Sequence, residues 1–203
     1  MNKKFLLLCL ILVVVIAGAS TLYNGLAYRV ETENLATVTT VAPATESEAT
    51  QPPAEKATEE PDYSAPNFSM ATWDGNVVRL ADYFGKPIIL NFWASWCDAC
   101  KRGMPAFQEV YEKYGDEIHF IMLNCTIGDS ETDAKALIEE NGYTFPVYFD
   151  TTSLGAYSYG ASSIPLTYFI DGEGNLLAYY MGAMSGNILQ QGVDLLYTPA
   201  DAE

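Results

Sequence analysis

Cys97 and Cys100, in the stretch Trp96-Cys97-Asp98-Ala99-Cys100, are the residues of this chain best suited to chemistry. On a helix start, a C-x-x-C spacing brings two sulfurs close enough to bond with little backbone movement. The first sulfur then sits among unpaired backbone N–H groups at the positive end of the helix dipole, which favours a thiolate. Cys97 is therefore the expected nucleophile, and Cys100, one turn further in, the expected resolving thiol. The same unit is half of a structural zinc site. Such a site needs a second C-x-x-C or paired histidines, and the only histidine is His119, inside an apolar run, so no metal is expected. Three other readings use the same region. A soft-metal carrier would hold Cu(I) between the two thiolates. A thiol peroxidase would more usually show a threonine-flanked cysteine. A binding module would not need both cysteines.

Asp98 and Ala99 lie between the sulfurs and should set redox poise. A carboxylate beside Cys97 works against the helix dipole and raises the thiol pKa, favouring reductant behaviour, while Lys101 and Arg102 push the other way. Trp96 is expected to form an apolar collar beside the dithiol and Trp93 to lie in the core. Cys125 follows a second apolar run and falls on the same sheet edge as Cys97 if the two strands are parallel. It reads as a small buried residue, with a third redox thiol as the alternative.

The elements that position these residues follow from hydrophobic pattern. The run from Ile88 to Trp93 reads as a strand buried on both faces. Met104, Phe107, Val110, Tyr111 and Tyr114 recur at helical spacing after Cys97, with Pro105 suggesting a kink. Residues 118–124 form a second central strand, 132–141 an amphipathic helix stopped by Asn141-Gly142, and 146–149 a short strand. Residues 153–159 read as a short helix. A hairpin spans 167–181 around Asp171-Gly-Glu-Gly-Asn175, and a helix spans 185–196. Upstream, 68–72 and 77–80 pair around Trp73-Asp-Gly-Asn76, followed by a helical turn at 80–84. The class is α/β: a three-layer sandwich with a mixed central sheet, helices on both faces and an N-terminal β-hairpin.

Those residues also carry a resemblance. Asn91-Phe-Trp-Ala-Ser-Trp96-Cys97-x-x-Cys100-Lys101 resembles the active-site segment of the thioredoxin superfamily. Together with Phe145-Pro146-Val147, Ile164-Pro165 and Tyr168-Phe169-Ile170-Asp171, it makes residues 65–197 similar to the TlpA/ResA-like branch of exported thiol–disulfide oxidoreductases. The resemblance implies a thioredoxin-like fold, with 131–149 as the αβ insertion of that branch. It implies a cis peptide before Pro165 facing the dithiol, and Ile164 offering backbone groups to an incoming peptide in strand-like pairing. Trp96, Ile164 and Pro165 are thus the expected substrate-binding residues. The implied activity is dithiol exchange that reduces disulfides of exported proteins, by a monomer. No flavin or nicotinamide fingerprint is present, so no cofactor is expected and electrons would have to come from a membrane donor. Two departures matter. Thioredoxins proper carry a buried aspartate where this chain has Asn91, which cannot take a proton. Some members of the branch place a glutamate where this chain has Gly103. No general base can be named, leaving water or Cys97 itself.

The net charge of −16 excludes a basic nucleic-acid surface. Residues 1–30 open with Lys3 and Lys4 and continue through an apolar run, an export signal. Residues 5–28 exceed the ~20 residues that span a bilayer, so an uncleaved anchor with the remainder outside the cell is favoured; cleavage near Ala19 would instead release the protein. Residues 31–61, rich in Thr, Ala, Pro and Glu, read as a disordered acidic linker, and 62–199 as the thioredoxin-like domain.

Overall fold

The computed structural model of the chain describes residues 36–37 and 63–197. Residues 1–30, expected as anchor or signal, and most of the expected linker lie outside the described residues. Among the described residues, no helix is long and apolar enough to cross a membrane.

The central element is β4, Ile88–Trp93, buried at every position. It pairs in parallel with β5, His119–Asn124, and antiparallel with β7, Leu166–Ile170. Its residues alternate between two cores, as a pleated strand covered on both faces must. Ile89 and Trp93 face one cluster; Ile88, Leu90 and Phe92 face the other.

The helix after β4, α1, runs Asp98–Tyr114 and continues through Pro105 as one element. Its apolar stripe, Met104, Phe107 and Val110, packs on the Trp93 side. Helix α2, Glu131–Asn141, starts at the Ser130 cap and stops where Gly142 adopts a left-handed φ of 66°. It adds Ala134 and Ile138 to the same face and leads into β6, Val147–Phe149, parallel to β5. The short helix α3, Leu154–Ser158, precedes β7. β8, Leu176–Met181, pairs with β7, and α4, Gly186–Leu196, returns to the α1 side with Ile188, Leu189 and Val193.

β2, Ser69–Thr72, and β3, Val77–Arg79, form the hairpin read from the sequence. They join the sheet through β2 beside β6. A 3-10 turn, Leu80–Tyr83, follows, and with α3 and Phe68 it closes the second face. Among the described residues, the three long helices therefore share one face, and the opposite face carries only short ones. One difference from the sequence reading lies in the stretch taken as linker. Ala36–Thr37 form a two-residue strand, β1, antiparallel to β8, so the sheet order is β1-β8-β7-β4-β5-β6-β2-β3. A pair of small, β-branched or polar residues carries no periodic signal that could announce an edge strand.

Candidate active site

Parallel pairing of β4 and β5 brings the ends of both strands to one sheet edge, and Cys97 stands just past β4 on that edge. Cys97 is the N-cap of α1 in extended geometry, and its Sγ accepts a hydrogen bond from the Cys100 N–H at 3.1 Å. Cys97 and Cys100 are joined as a disulfide, with Cα atoms 5.2 Å apart. On reduction the same N–H would face a Cys97 thiolate, the form it stabilises most.

The dithiol is more covered than its sequence position suggests. Cys97 keeps 6% of its surface exposed and Cys100 4%. Next to them, Trp96 is 61% exposed, while Trp93 is fully buried. Any partner sulfur must therefore reach Cys97 beside the Trp96 indole.

Ile164–Pro165 is a cis peptide bond. The Ile164 carbonyl stands 3.9 Å from Cys97 Sγ, and the Pro165 carbonyl accepts from the Gly182 N–H. The structure thus gathers Trp96, Ile164, Pro165 and both cysteines at one edge. An oxidised Cys97 has no proton to donate to Ile164; a reduced one does.

The residues expected to tune the pair are arranged differently from a simple opposition of charges. Asp98 is exposed and forms an ion pair with Lys101 at 2.7 Å. Lys101, by hydrogen bond and charge, holds the Asp98 carboxyl below its ordinary value. Asp98 and Lys101, expected to pull Cys97 in opposite directions, meet each other instead. Ala99 is half-buried against the α1 core. Asn91 is 2% exposed and its Oδ1 accepts from the Thr167 hydroxyl at 3.0 Å. Gly103 is buried, and a side chain there would start 3.4 Å from the Met184 backbone nitrogen. A β-carbon at this position would come into van der Waals contact with the Met184 backbone that leads into α4.

Cys125 occupies the same edge, with its N–H donating to the Trp93 carbonyl at 2.9 Å. Burial, with Asp150 and Asp129 nearby, pushes its thiol up to about 11. It stays protonated near neutrality and is a poor nucleophile. His119 pairs with Ile88 at the far end of β4 and packs edge-on against Tyr83. Five strand residues of rise place it roughly 17 Å from the dithiol end, too far to share a ligand with the cysteines. Among the described residues, no group of three or more His, Cys, Asp or Glu is arranged to hold a metal ion.

Sequence reasoning missed the loop after β5. Asp129 accepts two hydrogen bonds from Ser95, and the Gly128 carbonyl accepts the Trp96 indole N–H at 2.6 Å. The available signal was a Gly-Asp-Ser turn directly past a strand parallel to β4.

Residues 61–179 match the AhpC/TSA family. The thioredoxin-like protein YneN of Bacillus subtilis is 34% identical over 132 residues, covering 64% of this chain and 77% of that protein. The thiol-disulfide oxidoreductase ResA of Geobacillus thermodenitrificans is 34% identical over 131 residues, covering 63% and 73%. Among solved structures, the exposed lipoprotein thioredoxin of Streptococcus pneumoniae is similar at a TM-score of 0.56 and 32% identity, covering 64% of this chain and 98% of that one.

Proposed function

The chain belongs to the AhpC/TSA family and is a thiol–disulfide oxidoreductase of thioredoxin-like fold, and from that premise we propose that it reduces disulfides of exported proteins outside the cytoplasm. The observation that carries this reading is the Cys97–Cys100 pair at the start of α1 beside the Ile164–Pro165 bond. Reduced Cys97 attacks one sulfur of the partner's disulfide, and the other partner sulfur leaves as a thiolate that takes a proton. Cys100 then gives up its proton to water or to the leaving thiolate and attacks the Cys97 sulfur. The partner departs as a dithiol and the Cys97–Cys100 disulfide re-forms, two electrons having passed to the partner. A membrane electron donor returns the pair to its reduced state.

Residues 5–28 anchor the protein in the membrane in this reading. The basic start at Lys3 and Lys4 and the apolar run after it support an outward-facing domain. The similar S. pneumoniae protein is described as an exposed lipoprotein. The acidic linker gives the domain reach, and the exposed Trp96 and the Ile164 backbone receive the partner's extended chain. The domain acts as a monomer.

Trapping tests the proposal. In Cys100→Ala the mixed disulfide through Cys97 has no resolving thiol, so covalent complexes with exported proteins should accumulate and dissolve on treatment with dithiothreitol. Trapping only of cytoplasmic proteins would contradict the outward-facing assignment; no trapping at all would contradict dithiol exchange.

A further inference from the structure

The approach to the dithiol, Ala94–Trp96, is held by a carboxylate more than thirty residues away in sequence. Asp129 Oδ2 accepts the Ser95 N–H at 2.5 Å and the Asn124 side-chain N–H at 2.7 Å. Its Oδ1 accepts the Ser95 hydroxyl at 2.5 Å and the Ser130 N–H at 2.9 Å. Asn124 is fully buried, and its own amide oxygen takes the Thr126 hydroxyl at 3.2 Å, which turns its N–H2 toward Asp129. Burial alone would raise the Asp129 pKa, but the hydrogen bonds from Ser95, Asn124 and Ser130 outweigh it and hold the carboxyl below its ordinary value. It is an anion at neutral pH. On the same loop, Gly128 holds the Trp96 indole and Cys125 holds the Trp93 carbonyl. The Cys97 N–H in turn donates to the Ala94 carbonyl at 3.1 Å.

We propose that Asp129 is a positioning residue for the dithiol: its carboxylate fastens Ala94–Trp96 to the Asn124–Ser130 loop and so fixes Cys97 Sγ against the Cys100 N–H. This inference rests on the dithiol reading above. The carboxylate suits the task because all four of its partners are donors. An asparagine in its place satisfies them in neither orientation. With its N–H2 at the Oδ2 position it meets the Ser95 and Asn124 N–H groups; at the Oδ1 position it meets the Ser130 N–H. The approach to Cys97 then loosens, and the Cys97 thiolate loses part of its hydrogen bond and its place at the dipole end.

Two effects of the substitution have opposite signs. Loss of positioning raises the Cys97 pKa; loss of a nearby negative charge lowers it. Four donors already offset the Asp129 charge, so positioning should prevail. The other charged groups of the edge, Asp98 with Lys101 and Arg102 at the start of α1 and Asp150 beyond β6, remain unchanged in the variant.

The test is the pH profile of Cys97 alkylation by iodoacetamide on the reduced, full-length chain. Peptide mass spectrometry separates Cys97 from Cys9, Cys100 and Cys125. Asp129→Asn is expected to displace the profile to higher pH and to slow alkylation at neutral pH about tenfold. Ser95→Ala, which keeps the Ser95 N–H bond, should move it in the same direction by less. A variant profile that coincides with wild type, or moves to lower pH, overturns the inference. If Asp129→Asn does not fold, Ser95→Ala decides by the same criterion. A wild-type Cys97 that never titrates defeats the dithiol reading and this inference with it; a titrating wild type with unmoved variants defeats the inference alone.

Discussion

Cys97→Ser is expected to lose disulfide reduction, with turnover falling by about 10⁴-fold or more to the background of free reductant. Serine differs from cysteine here by one atom, so the fold and the Cys100 N–H contact are kept. Its hydroxyl is not an anion at neutral pH, and it cannot form the mixed disulfide on which the reaction depends. Cys100→Ala should differ in kind, since Cys97 still attacks and only release fails. Dithiothreitol-driven reduction of a protein disulfide, compared with a single-turnover reaction of the reduced enzyme, separates the two. Residual turnover above a tenth of wild type in Cys97→Ser would mean that another thiol carries the reaction. Besides Cys100, freed by the substitution, Cys125 is the other cysteine left among the described residues, and its half-buried thiol, protonated near neutrality, speaks against that role.

The second large effect concerns the sheet beneath the site. Gly192→Ala should destabilise the domain by about 2–3 kcal/mol and lower the urea midpoint by roughly 1 M. Gly192 lies in α4 against Phe169 of β7, and a methyl group there would fall well inside contact distance of Phe169 Cε1 and Cζ. Phe169 is fully buried among residues of the same core, so its ring has nowhere to turn. Alanine gains about 1 kcal/mol of helix propensity over glycine, less than the overpacking costs. Gly186→Ala, in the same helix with open space around it, is the control and should be neutral or stabilising. Unfolding followed by circular dichroism reads both. Equal midpoints would mean that α4 sits further from β7 than described.

The features that could be read from the sequence are those written in local pattern. An unbroken apolar run announced β4, and a three–four spacing announced α1, because a doubly covered strand and a one-sided helix require those patterns. The cysteine pair was legible for the same reason: its chemistry depends on a spacing of three within a single turn. The cis state of Ile164–Pro165 was legible only through resemblance, since an X-Pro pair alone is more often trans. Helices α1 and α2 gather on one face because both parallel crossovers, β4-α1-β5 and β5-α2-β6, turn with the same hand. What stayed hidden was created by tertiary contact. Asp129 is one acidic residue in an acidic chain until β5 sets it beside Ser95. Asp98 and Lys101 read as opposing influences on Cys97, and the ion pair between them is visible only in the fold. The small exposed remainder of Cys97 follows from packing around α1, which no motif encodes.

Equilibration of the full-length chain in a series of dithiothreitol redox buffers, with acid quenching and mass counting of free thiols at Cys97 and Cys100, reads directly whether the two sulfurs form a working redox pair. One reversible two-electron transition is expected, in which both sulfurs change together, approached identically from the oxidised and the reduced protein. A pair that stays bonded in the strongest reductant, stays free in the strongest oxidant, or titrates as two unrelated thiols would contradict it.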